Sequence, residues 1–182
     1  MVEDYPSTME EMESRFADEA ACREYLFRLR WPAGFVCPGC GTAEAWALHK
    51  GLWQCHACRR QVSVTAGTVF DGSHLPLPVW FRAMWQITSQ KNGISALGLQ
   101  RALGIGSYHT AWEWLYRLRH AMVRPNRDRI SGIIEVDEIY IGGKKTGKRG
   151  RGAEGKVLVV IAAQIDGNRI GRIRLKRVSD AS

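Results

Sequence analysis

Apolar residues recur at helical spacing through the front of the chain. Phe16, Ala21, Cys22, Leu26 and Leu29 predict the buried side of two short helices, in STMEE and ADEAACREYLFRLRW. Thr8 with Glu11 fits a capping box, and Asp18 fits an N-cap. Trp31-Pro32 ends the run, because proline disfavours helix in the residue before it. Residues 35–75 read as short strands and turns. Next come PLPVWFRAMWQITSQ, with Pro78 placed for a first turn, then ISALGLQRALGI and SYHTAWEWLYRLRHAMV. These predict three helices, broken at Asn92-Gly93 and at Gly104–Gly106. From Gly132 the period becomes two, which predicts strands near 132–141, 156–165 and 168–178. Asp166-Gly167 is a hairpin turn signal between the last two. The expected fold class is α+β in several parts. Their bounds are 1–32 for the N-terminal helices, 33–75 for a small β ribbon, 76–125 for a helical segment and 130–182 for a strand-rich domain.

Charge changes this picture. The chain of 182 residues carries a formal net charge of +8. Residues 1–24 hold eight acids and two bases, so the rest carries a net +14. A basic body of that size points to a polyanion such as nucleic acid; a solvated surface is the bland alternative. No apolar run reaches the roughly 18 residues that a membrane helix needs. The acidic start MVEDYPSTMEEME lacks a secretory pattern, so the expectation is a cytoplasmic protein without a membrane partner.

Five cysteines, an odd number, argue against a disulfide framework. Cys22 sits in a helical pattern as a small apolar residue. The other four form two pairs, Cys37-Pro-Gly-Cys40 and Cys55-His-Ala-Cys58, fourteen residues apart. Each Cys-x-x-Cys is a tight turn that aims two sulfurs at one point, and Gly39, Gly41 and Ala57 let the turns close. Two such turns predict a tetrahedral, structural Zn²⁺ on Cys37, Cys40, Cys55 and Cys58. A redox dithiol is the competing reading, and it usually has a single Cys-x-x-Cys near a βαβ pattern. His49 and His56 are spare ligand types, with four cysteines already sufficient.

Residues 94–122 have the shape of a helix-turn-helix, against the plainer reading of a bundle that links two domains. Ala111, Trp112, Leu115, Leu118 and Met122 form an apolar stripe in the second helix. Trp80, Trp85, Trp112 and Trp114 read as core. Ser107, Tyr108, His109 and Thr110 open the second helix, where a recognition helix meets base edges. Arg117, Arg119 and Arg124 are placed for phosphates, as are Lys144, Lys145, Lys148, Arg149 and Arg151 in the basic loop.

The segment GIIEVDEIYIGG places carboxylates in a strand, where acids are poor formers. Alternation puts Ile133, Glu135, Asp137, Ile139 and Ile141 on one face and Glu138 on the other. A divalent cation would relieve the repulsion between Glu135 and Asp137; pairing with the basic loop, or plain exposure, is the alternative. KVLVVIAAQI is a continuous apolar run, the sign of a strand covered on both faces.

The order of parts is specific: RWPAGFVCPGCG, CHACRRQVSVTAGTVF, LPL with a helix-turn-helix, then GIIEVDEIYIGG. Together they resemble the insertion-sequence transposases of the IS-fifteen-ninety-five (ISXO-two-like) group, from about Phe16 to the last residue. The resemblance implies a zinc ribbon, a DNA-binding helical segment and an RNase H-like catalytic domain of the DDE type, of which residues 130–182 would be the first three strands. It implies Asp137 as the first catalytic carboxylate, with Glu135 in support, and Mg²⁺ as the catalytic ion. The implied partners are DNA at the element ends and either another copy or the full-length transposase. Downstream of Asp137 only Glu138, Glu154, Asp166 and Asp180 are acidic, and none lies in a segment matching the family's later motifs. The expectation is therefore a truncated catalytic domain that binds DNA without cutting it. A non-catalytic zinc-ribbon regulator of DNA or RNA is the runner-up, and a zinc-dependent protein adaptor is third.

Overall fold

The computed structural model describes residues 5–90, 92–123, 128–142 and 155–179. The chain divides into two compact units, Met1–Arg124 and Pro125–Ser182.

The first unit opens with helices α1 (Met9–Arg15) and α2 (Glu19–Arg30). Thr8 Oγ1 accepts the Glu11 N–H at 3.1 Å. Glu11 Oε2 returns to the Ser7 N–H at 2.8 Å, one residue before the N-cap, so the box closes on a neighbouring donor. Asp18 Oδ1 caps α2 at the Ala21 N–H, 2.8 Å away. Trp31 ends α2. The β ribbon follows as β1 (Ala45–Ala47), a 3-10 turn (His49–Gly51), β2 (Leu52–Cys55) and β3 (Gln61–Ser63). β2 lies between its antiparallel neighbours. Then come α3 (Leu77–Ser89), α4 (Ala96–Leu103) and α5 (Tyr108–Ala121).

One continuous core joins these parts. The Phe16 ring lies 4.3 Å from Phe81 and 5.0 Å from Tyr25, which packs the first helices on α3. Phe27, Trp31, Phe35 and Trp53 form an aromatic run that seats the ribbon on α2. Beside it the Arg30 guanidinium donates to the carbonyls of Ser63, Val64 and Ala66, at 3.4, 3.1 and 2.6 Å. Val64 and Ala66 lie beyond the end of β3, where no strand partner remains, so a charged donor satisfies their carbonyls. Glu19 in the first turn of α2 accepts the Leu77 N–H at 2.7 Å, satisfying an orphan donor at the start of α3. Trp80 is fully buried, stacks on Trp114 at 3.7 Å, and donates its indole N–H to Ser73 Oγ at 2.7 Å.

Three side chains depart from the periodicity. Leu29, expected inside, is 56% exposed at the outer edge of α2. The buried stripe of α5 is Ala111, Trp114, Leu115 and Leu118. Trp112 and Met122, expected in it, are each at least half exposed. Both readings have helical spacing; α4 and α3 select the stripe that holds Trp114, because Trp80 offers it a flat partner.

The second unit is a meander of β4 (Ile133–Ile141), β5 (Val157–Asp166) and β6 (Arg169–Val178), all antiparallel with β5 central. The turn sits one residue later than expected. Asp166 pairs with Arg169, and Gly167 and Asn168 form the loop, with Gly167 at φ 58°. A positive φ at the first loop residue alone is the type II′ pattern, which glycine meets without strain. The apolar run of β5 is only half-buried apart from Leu158. Its partial cover comes from the strands on either side; among the described residues of this unit there is no helix.

Replacing Trp80 with alanine is expected to cost about 3–5 kcal/mol of stability, while Leu29→Ala stays within about 0.5 kcal/mol. Urea unfolding followed by circular dichroism distinguishes the two; equal losses would contradict this packing.

Candidate metal centre and nucleic-acid interface

The four paired cysteines converge. Their sulfurs all lie within 4.8 Å of one another, with Cys37–Cys58 at 3.6 Å and Cys40–Cys55 at 3.5 Å. Metal–sulfur bonds of about 2.3 Å in a tetrahedron place sulfurs about 3.8 Å apart, so the cluster fits Zn²⁺. Four thiolates leave no open position, which is the arrangement of a structural ion and not of one that activates water. Cys37 and Cys55 are buried, while Cys40 and Cys58 face outward.

The turns that achieve this are near copies. In the first, the Cys37 N–H donates to the Thr42 carbonyl at 2.9 Å, and the Gly41 N–H donates to the Cys37 carbonyl at 2.9 Å. In the second, Cys55 donates to Arg60 at 2.9 Å and Arg59 to Cys55 at 3.1 Å. The residue after each second cysteine has positive φ, 76° at Gly41 and 60° at Arg59. For an L-residue that conformation costs roughly 1–2 kcal/mol. Neither His49 nor His56 belongs to the cluster. His56 points its Nδ1 at Glu44, 3.5 Å away, and rests on Trp46.

Local hydrogen bonds set the thiol acidities. The Thr42 hydroxyl, 3.4 Å from Cys40 Sγ, is the main cause that pulls Cys40 down to about 6. The Gly39 N–H lowers Cys37. At Cys58 the Arg60 N–H pulls downward, but the thiols of Cys40 and Cys37, burial and the Cys55 thiol together outweigh it and hold the group at about 11. Cys22 stands apart from the cluster: burial, aided by Glu19 and Asp18, pushes it to about 12.

At the start of α5, Ser107, Tyr108 and His109 are exposed and Thr110 is half-buried. Arg117, expected at a phosphate, is committed inward. It donates to the carbonyls of Asp71 at 2.8 Å and Val69 at 3.4 Å, and it meets Glu113 at 2.6 Å. Two of those partners are 46 and 48 residues away, so the sequence alone gave no sign of them. Arg119 donates to the Ile94 carbonyl at 3.0 Å. The outward face of α5 instead carries Tyr108, Trp112, Tyr116 and His120, with Trp112 and Tyr116 nearly parallel at 5.9 Å. Lys144, Lys145, Lys148, Arg149 and Arg151, with Arg124, Glu154 and Asp180, lie outside the described residues.

On β4, Glu135 and Asp137 share an exposed face, and Glu138 occupies the other. Register places Asp137 opposite Ile161 and Leu175, and Glu135 opposite Ala163 and Ile173. The residues directly across from this pair are therefore apolar, and Arg177 joins the same face one pair further along, across from Val159. Asp137 Oδ1 accepts the Glu138 N–H at 2.8 Å.

The four-cysteine ribbon and the acid-bearing strand β4 each fall inside a segment that comparison likens to a transposase domain. Residues 17–61 match the transposase zinc-ribbon domain, and residues 129–182 match the ISXO2-like transposase domain. Both domains are those of insertion-sequence transposases of the ISXO2-like group, and the chain is similar to that group at both of these segments. It is 30% identical over 142 residues to an uncharacterised protein in transposable element ISH50 of Halobacterium salinarum. That match covers 75% of this chain and 45% of the relative, so the chain spans less than half the relative's length. No solved structure matches the chain. Among the described residues no helix is long and apolar enough to cross a membrane.

In metal-free protein at pH 7, iodoacetamide is expected to label Cys40 first and to leave Cys22 unmodified in the native state. The Cys40 rate falls as pH drops through about 6, because the thiolate is lost there. Added Zn²⁺ should block the reaction. Peptide mass spectrometry reads the order, and equal labelling of Cys22 and Cys40 would contradict it.

Proposed function

We propose that this chain is the DNA-recognition part of an insertion-sequence transposase together with the first strands of its RNase H-like catalytic domain. The observation that carries the reading is the pairing of a four-cysteine ribbon with the ISXO2-like match that begins just before β4. In this reading residues 1–32, 33–75, 76–125 and 130–182 are the helical lead, zinc ribbon, helix-turn-helix-like segment and start of the catalytic domain.

Cys37, Cys40, Cys55 and Cys58 hold one structural Zn²⁺, which keeps the ribbon rigid. Strands of three and four residues bury too little on their own to do so. Element-end DNA meets Ser107, Tyr108, His109 and Thr110 at the start of α5, and the basic loop from Lys144 to Arg151 lies along phosphates. Arg117 acts from behind, by fixing α5 to the loop that precedes α3.

Asp137 is the first catalytic carboxylate, and Glu135 on the same face supports it. Bound Mg²⁺ would supply activation of a hydroxyl and stabilisation of the leaving oxygen at a DNA phosphate. Asp137 and Glu135 would hold it from one strand face, and the described part of the sheet adds no further acid on that face. In this reading residues 1–182 bind element-end DNA, and two acids on one strand do not by themselves hold the metal for strand transfer. The same shortage of acids favours, as second reading, a non-catalytic zinc-ribbon regulator.

Fluorescence anisotropy with candidate element ends should show binding whose log K falls with log salt by about 0.9 for each phosphate contacted. Asp137→Ala leaves that affinity unchanged. With Mg²⁺ present, the purified chain should give no strand transfer. Robust transfer would overturn the inactivity, and salt-insensitive or absent binding would overturn the DNA reading.

A further inference from the structure

The two knuckles share one backbone design, and one position breaks the likeness. Gly41 takes the positive-φ place in the first knuckle, and Arg59 takes it in the second. Glycine meets that geometry without strain, so the turn itself does not call for arginine. What arginine adds lies outside the turn. Its guanidinium carbon sits 4.7 Å from the centroid of the Trp46 ring. Trp46 in turn rests against His56 at 3.8 Å. Trp46, His56, Arg59 and Arg60 are all exposed. The nearby acid, Glu44, faces His56, and among the described residues no carboxylate pairs with Arg59.

Stacking on an indole uses the flat face of a guanidinium. Its N–H donors lie in the plane and stay available for a planar or tetrahedral oxyanion. A strained residue that holds a pre-oriented cation on a solvent-facing platform is better explained by a ligand than by the turn. We propose that Arg59, propped on Trp46, is a phosphate-backbone contact for duplex DNA on the outer face of the ribbon. The inference rests on the DNA-binding reading and adds a residue and a surface to it. The contact is independent of sequence, since a backbone phosphate is the same at every base pair.

Arg59→Gly is the informative change, because it keeps the backbone conformation that the knuckle needs. The probe is a mixed-sequence duplex of about 30 base pairs, titrated by anisotropy across a salt series. Expected are about a five- to tenfold loss of affinity near 0.1 M salt and a reduction of the salt slope by about one. Zinc content and thermal midpoint stay at the wild-type value or rise. Arg59→Lys should retain the slope. If wild type binds the duplex and Arg59→Gly binds it equally with the same slope, this contact is refuted while the DNA reading stands. A lowered midpoint with unchanged DNA affinity would show that Arg59 only braces Trp46, and would also refute it. Failure of wild type to bind at all would remove both.

Discussion

Two tight turns must aim four sulfurs at one point, and much of the first unit is arranged around that demand. The ribbon strands hold three or four residues each, too few to make a core. The turns are kept in place by paired N–H to carbonyl bonds and by a positive φ after each second cysteine. The ribbon is then sewn to the helices by Phe27, Trp31, Phe35 and Trp53, and by Arg30 on three carbonyls. Centre and helical core are consequently parts of one packed body.

The excess of positive charge divides into two uses. Arg30 and Arg117 face inward and serve carbonyls that the backbone leaves unpartnered. They stabilise the joints of the fold with donors that would otherwise face solvent. Arg59 and Arg60 face outward on the second knuckle. Net charge alone overstates the cationic surface, because a guanidinium with five donors is also a good structural clamp.

The sheet of the second unit poses a different problem. Glu135 and Asp137 stand on a face whose other members are largely apolar, with Ile161, Ala163, Ile173 and Leu175 beside them. Carboxylates on such a face gain nothing from the strand itself. A functional role explains their place better than stability does.

The sequence by itself placed α2 to α5 and the three strands of the second unit to within about two residues, because periodicity, caps and turn residues are local; it left the ribbon strands without individual bounds and read α1 only as far as Glu11, four residues short. Thr8, Asp18, Pro78 and Gly104 mark real boundaries. The four sulfurs were legible as well, since Cys-x-x-Cys writes its geometry into adjacent residues. Tertiary structure alone decided which of two helical stripes α5 buries, and it chose Trp114 over Trp112 through the Trp80 stack. It alone turned Arg117 from a phosphate contact into an internal tie, and it alone set Arg59 on Trp46. Those outcomes depend on partners far along the chain or on a backbone angle, and neither is encoded in spacing.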